Sequence, residues 1–246
     1  MARLYDPRAV QFSPEGRLYQ VEYAMEAVCA SNLCLGIVAA DGVLLAAERC
    51  NSRLVGGPSG KMFRLASNVA CTWAGVSADA TKLIDEMRIS AQRFRFNYGE
   101  TIPCEGLVAD ICDVKQSYTQ WGGRRPFGVS ILYMGWDEVY GYQLYNSDPS
   151  GNYSGWKATA AGHDFDVASS LLEQEIDPEV SISLEEAKDL AMKVLDCTLG
   201  TANLIPNKLE MSTLHRASDG CCIYTLLEMS DVEKLTEKYT KGGDAN

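Results

Sequence analysis

Leu18, Val21, Met25 and Val28 recur at spacings of three and four, the period of one helical face. Just ahead of them stands FSPEGR. There Ser13 suits an N-cap, Pro14 suits the first helical position, and Glu15 lies at the positive end of a helix dipole. Gly16 occupies the place where a capping box wants Glu. The pattern predicts a helix over residues 14–29, preceded only by the short stretch MARLYDPRAVQ. Next comes CLGIVAADGVLLAAE, two apolar runs joined at Asp41-Gly42, which predicts a hairpin. Both runs are apolar on both faces, so these strands are expected to be covered on both sides.

Strand-like runs follow at 61–65 (KMFRL) and 69–74 (VACTWA), after a Gly56-Gly57-Pro58 loop. Ala80, Leu83, Ile84, Met87, Ala91 and Phe94 then trace a helical face that starts at Ser77 and stops at Gly99. Leu107, Val108, Ile111 and Tyr118 trace a second one, between Pro103 and Gly122-Gly123. Strands return in VSILYMGW, YGYQLYN and, after the DPSGN turn, GWKATAAG. Helical faces near 165–175 and 184–198 precede the strands KLEMSTLH and CCIYTLLE, and a short amphipathic helix near 232–239 closes the chain. Helices arrive in pairs between groups of strands, which disfavours a doubly wound parallel sheet. The order predicts an α+β fold: an antiparallel two-sheet sandwich with a helix pair on each outer face.

Composition narrows the function classes. The 246 residues suit one domain, and 46% hydrophobic with 22% charged residues is ordinary globular usage. No apolar run approaches the ~18 residues of a membrane span, and the first residues lack a signal-peptide pattern, so a soluble, non-secreted chain is expected. A net charge of −11 disfavours nucleic-acid binding. The nine cysteines are odd in number and lie in apolar segments such as those around Cys34, Cys71, Cys112 and Cys197. They read as reduced, buried thiols of the cytosol or nucleus. With only His163 and His215, far apart, neither a zinc site nor a Ser–His or Cys–His pair is expected. GGPSGK at 56–61 lacks the P-loop ending, because Met62 follows the lysine. No cofactor is implied. WGGRRPFG reads as a helix-ending turn, with a small basic clamp as the alternative.

Several segments together carry a family resemblance. Tyr5-Asp6 followed by FSPEGRLYQVEYA resembles the amino-terminal signature of alpha subunits of the eukaryotic 20S proteasome. IPCEGLVADICDVKQSYTQWGGRRPFGVSILYMGWD and YQLYNSDPSGNYSGWKATAAG are similar to the same family, and the likeness runs from Tyr5 to about Tyr239. QVEYAMEAV, IPCE and SDPSGNYSGWKAT favour one of the family's seven paralogues over the others.

The resemblance implies a four-layer αββα sandwich of the N-terminal nucleophile hydrolase type with an extra N-terminal helix. The divisions it suggests are a gate tail at 1–11, the αββα domain at 12–240 and a C-terminal tail at 241–246. It implies a place in a seven-membered alpha ring stacked on beta subunits in a 28-chain particle. Regulatory particles would dock between alpha neighbours, in ubiquitin-dependent degradation in cytoplasm and nucleus.

Catalytic relatives use an amino-terminal threonine whose own amine serves as base. Here the first strand begins near Asn32-Leu33-Cys34, behind a whole helix, so a non-catalytic role is expected, with Glu48 as a structural acid. The alternative is an active threonine peptidase or amidase of the same fold.

Tyr5, Asp6, Pro14 and Tyr23 match the family's gate cluster; for Tyr23, packing beneath the helix is the other reading. Pro7 stands where many paralogues carry arginine, so the salt link made by that arginine is not implied. Lys61 matches a lysine that pairs with the carboxylate of an inserted activator tail, and a plain surface lysine is the other reading. Leu18 matches a pocket wall. At Ser31-Asn32 the family often has glycine, so that wall differs here.

Overall fold

The apolar hairpin forms the centre of the molecule. The computed structural model describes residues 11–49, 60–121, 123–177, 180–200, 204–218 and 220–242. In it β1 (Cys34–Val38) and β2 (Gly42–Glu48) pair antiparallel, from Cys34 opposite Ala47 to Val38 opposite Val43. An Asp-Gly hairpin turn usually needs a left-handed glycine, but Gly42 is not among the positive-φ glycines. Its role is close approach. A Cβ there would collide with the Leu184 side chain and stand 2.7 Å from the Leu214 carbonyl oxygen. Asp41 Oδ1 accepts the Leu184 N–H at 2.7 Å, which ties the turn to a helix start far along the sequence.

The remaining strands are β3 (Phe63–Arg64), β4 (Val69–Gly75), β5 (Val129–Asp137), β6 (Gly141–Ser147), β7 (Tyr153–Gly155), β8 (Ala158–Ala161), β9 (Leu209–Arg216) and β10 (Cys222–Leu226). They form two five-stranded sheets, ordered β10-β9-β2-β1-β8 and β3-β4-β5-β6-β7. Every pairing among the described residues is antiparallel. Val43, Leu45, Leu132, Met134 and Leu144 interdigitate between the sheets.

The helices α2 (Ser77–Tyr98) and α3 (Cys104–Gln120) cover the second sheet through Leu83, Met87, Leu107 and Ile111. On the first sheet lie α4 (Phe165–Glu175) and α5 (Leu184–Leu199), through Leu172, Met192 and Leu195, with Val232 of α6 (Met229–Gly242) beside them. The order of layers is therefore helix, sheet, sheet, helix, and both faces of the central hairpin are buried as its composition required.

Local signals set several boundaries. Gly99 ends α2 at φ 75°, a left-handed C-cap. Ser183 and Glu186 form a reciprocal capping box at the start of α5. Three expectations need correction. The segment GWKATAAG is not one strand. The backbone crosses between the sheets at Trp156-Lys157, where Trp156 N–H donates to Leu144 O at 2.8 Å and Lys157 O accepts from Val38 N–H at 2.7 Å. Alternation along the segment carries no trace of that crossing. Cys197, expected inside, is exposed, whereas Cys34, Cys71, Cys104 and Cys112 are buried.

The N-terminal helix, α1, spans Tyr19–Cys29 rather than beginning at Pro14. Ser13 Oγ does accept a backbone N–H, from Arg17 at 3.1 Å, but it caps an isolated turn. Gly16 at φ 80° sits in the left-handed region, which a right-handed helix cannot continue through.

Candidate functional site

α1 packs against β4 and β5 at one end of the sandwich. It buries Val21, Ala24 and Val28 at a spacing of three to four residues, and Val28 joins the core between the sheets. The opposite face looks outward. Pro14 is exposed in the turn ahead of α1, where Gly16 N–H donates to Ser13 O at 2.9 Å. Tyr23 is 43% exposed, its ring stacked 6.5 Å from that of Tyr19. It does not pack beneath the helix. Tyr5, Asp6 and Pro7 lie outside the described residues.

At the trailing end of α1 a second cluster forms. Lys61 is only 6% exposed, so it is not a surface lysine. Its Nζ donates to the Asn32 carbonyl at 3.0 Å and lies 5.1 Å from the centre of the Trp73 ring, within cation–π range. Its backbone N–H donates to Glu210 Oε2 at 2.6 Å, a buried carboxylate. Ser31, next to Asn32, donates its hydroxyl to Val28 O at 2.7 Å, and its carbonyl accepts the His163 N–H at 2.7 Å. Lys61 and Ser31 thus share one corner.

Leu18 does not. It is the N-cap of α1 and lines a depression with Phe12, Gln116, Thr119, Gln120 and Trp121. The 11 residues of α1 separate it from Ser31, about 16 Å of helix.

The lead position of the first strand carries no nucleophile. Cys34 stands there fully buried, and burial pushes its thiol up to about 11, with the nearby Lys61 charge opposing only in part. A thiol held protonated at neutral pH does not attack. Glu48 is tied into β2, its N–H donating to Leu33 O at 2.9 Å. His163 lies on the surface with Nδ1 2.7 Å from Asp164 Oδ2. Among the described residues no group of three His, Cys, Asp or Glu side chains is placed to hold a metal, and no helix is long and apolar enough to cross a membrane.

Two arrangements escaped the sequence reading. Lys115 is fully buried beneath α3, where Nζ donates to Ser147 Oγ at 2.8 Å, Val129 O at 3.1 Å, Asp148 O at 3.3 Å and Ser147 O at 3.4 Å. Burial lowers its pKa to about 8. It falls four residues after Ile111 on the apolar face, and that periodic position was the available signal.

Asp79, in the first turn of α2, receives both terminal nitrogens of Arg125, at 2.6 and 2.8 Å, and the Gly128 N–H at 3.0 Å. Burial would raise its carboxyl, but those hydrogen bonds outweigh burial and hold it below the usual range. Arg125 and Gly128 thus pin the end of this segment to α2, with Arg124 laid over the Tyr118 ring at 4.8 Å.

Comparison with known proteins matches this architecture. The family described as "Proteasome subunit" matches residues 30–214, and the family describing the N-terminal signature of A-type proteasome subunits matches residues 5–27. The alpha type-4 proteasome subunit of Drosophila melanogaster is 59% identical over 246 residues, covering 98% of this chain and 93% of that relative. The alpha type-4-like proteasome subunit of the same organism is 50% identical, over 97% and 96% of the two chains. For the alpha type-4 protein of Dictyostelium discoideum the identity is 48%, over 96% and 99%. With an alpha-type N-terminal signature over residues 5–27 and alpha type-4 relatives along nearly its whole length, the chain belongs to the proteasome subunit family, as one of its non-catalytic alpha-type members.

Proposed function

We propose that this chain occupies the third position of a seven-membered alpha ring stacked on beta subunits, where it controls substrate entry and receives regulatory particles. The process served is ubiquitin-dependent protein degradation in cytoplasm and nucleus. The observation that carries the reading is the placement of α1. It fills one end of the sandwich with Val21, Ala24 and Val28 and presents Tyr23 outward.

Gating follows from that outward face. Pro14 fixes the backbone where the tail meets the turn, and Tyr5, Asp6, Pro14 and Tyr23 together latch the tail over the axial entrance. Deleting Met1–Gln11 is expected to raise basal peptide hydrolysis by the assembled particle several-fold. Unchanged hydrolysis would count against a gating tail in this chain. Native mass spectrometry tests the ring itself: the chain should appear in an assembly of roughly 28 subunits, the size the family resemblance implies.

Docking uses the two ends of α1 separately. Leu18 and Lys61 lie too far apart to form the walls of one small pocket within a chain. They suit two pockets, each completed by a neighbouring subunit, with Leu18 as a wall of one and Lys61 in the other as the charge that meets a terminal carboxylate. Ser31 borders that corner in place of the glycine common in the family. Lys61→Ala is expected to weaken activator binding, and equal affinity would remove this assignment.

A further inference from the structure

We infer that the outer edge of β8 is a docking groove for an extended segment of a partner polypeptide, which adds to the first sheet as a further antiparallel strand. β8 ends its sheet and, among the described residues, pairs only with β1. The register decides which of its backbone groups are used. Val38 N–H donates to Lys157 O at 2.7 Å. Hydrogen-bonded positions alternate along an antiparallel pair, so Lys157, Thr159 and Ala161 turn their backbone groups toward β1. Ala158 and Ala160 turn theirs away, out of the sheet.

That edge is a walled groove. Ala158 and Ala160 line a space of about 410 Å³ with Trp156 at the backbone crossing, Phe165 and Leu172 on α4, and Ile176 at the end of that helix. Trp156 is 50% exposed and Phe165 36%, which leaves aromatic surface for an occupant to cover. Ala160 is only 4% exposed. A backbone group left unpaired in so enclosed a place is costly, and an added strand meets it. Edge strands that stay unpaired are usually guarded by a charge, a proline or a bulge. β8 reads ATAA, with neither charge nor proline.

The geometry also sets the occupant's pattern. Ala158 and Ala160 pack into the cluster that holds Ala168 and Leu172 of α4. Residues opposite them in antiparallel addition exchange hydrogen bonds with them and project to that same face. The occupant therefore carries apolar residues at alternate positions, and the N–H groups of those residues are the ones spent on β8. A helix, whose main chain is bonded internally, has none to offer.

The test uses the assembled particle with its proteolytic sites inhibited. The probe is a photoreactive, end-blocked peptide of alternating threonine and leucine flanked by lysines, and cross-links at residues 156–176 of this chain are read by mass spectrometry. N-methylation of the leucines should weaken capture roughly 10-fold, and N-methylation of the threonines should change it by less than about 2-fold. Ala158→Pro removes one outward N–H, leaves the pairing with β1 in place and should weaken capture about 3- to 10-fold. Incorporation of that variant is measured first; both methylated probes are read on the wild-type chain, so a variant that fails to assemble leaves the test standing.

Equal sensitivity to the two methylations overturns the inference, as does equal capture of a helix-stapled peptide of the same composition. A probe that does not bind also overturns it, because a neighbouring chain or a second copy then closes the edge. Capture that appears only after Met1–Gln11 is deleted makes this chain's own tail the occupant, with the same result.

Discussion

Among the described residues two regions bury a lysine, and the groups that enclose it differ. Beneath α3, the Lys115 ammonium is enclosed by Val129 O, Ser147 O, Ser147 Oγ and Asp148 O, and Ser147 Oγ also meets Tyr133 OH at 2.9 Å. That region joins α3 to the ends of β5 and β6, and it is wholly internal. At the trailing end of α1, the Lys61 ammonium meets the Asn32 carbonyl and the Trp73 face. The first lysine meets oxygens at the ends of β5 and β6, and the second meets a carbonyl and an aromatic face. Burial alone therefore does not identify a functional lysine. The chemistry of the enclosing groups separates the two.

The comparison breaks most visibly in stability. Lys115→Ala removes a buried side chain and strands several carbonyls, and it is expected to cost about 3–5 kcal/mol in thermal unfolding. Lys61→Ala, which strands the Asn32 carbonyl, is expected to cost about 1–2 kcal/mol, with its main effect on capture of a carboxylate-ended peptide. Equal losses from the two variants would contradict the distinction. Lys115→Met fills the space but strands the same carbonyls, so its cost should fall below that of Lys115→Ala by the cavity contribution.

The comparison also shows in pH dependence. The pKa of Lys115 is lowered to about 8 in the fold, from 10.5, so the unfolded chain binds more protons between those values. This residue's contribution to stability therefore rises as pH rises through that window. Cys34 and Cys71, raised to about 11 and about 12 by burial, act in the opposite sense once unfolded thiols ionise. The difference between wild type and Lys115→Met isolates the lysine: it should shift in favour of wild type from about pH 8 to 10.5. A flat difference would mean that Lys115 is not titrating there. At the surface end of the scale, Arg125→Ala leaves Asp79 with the Gly128 N–H and should cost about 1–2 kcal/mol. It should leave capture at Lys61 unaltered.

The same contrast shows what could be read before folding. The helix α2 and its Gly99 stop, the helical face of α5 and the doubly covered hairpin were legible because each depends on neighbours within a few residues. Lys61 was found only through family resemblance, since nothing near residue 61 distinguishes it from an ordinary lysine. Its partners Asn32, Trp73 and Glu210 lie up to 149 residues away. Ser13 shows the limit from the other side: its spacing predicted the N-cap of a helix, but Gly16 confines it to a turn and the helix starts at Tyr19.

The sequence by itself determined the order of helices and strands, the need to cover the central hairpin on both faces, and a first strand led by Cys34 behind a helix. Those follow from local periodicity and from the chemistry of single residues. Only the tertiary structure decided that Trp156-Lys157 carries the backbone from one sheet to the other and that Asp41 caps α5. It also decided that α1 holds Leu18 and Lys61 at opposite ends. Such contacts join segments far apart in the chain, and their energies depend on distance and burial, quantities that no spacing along a sequence contains.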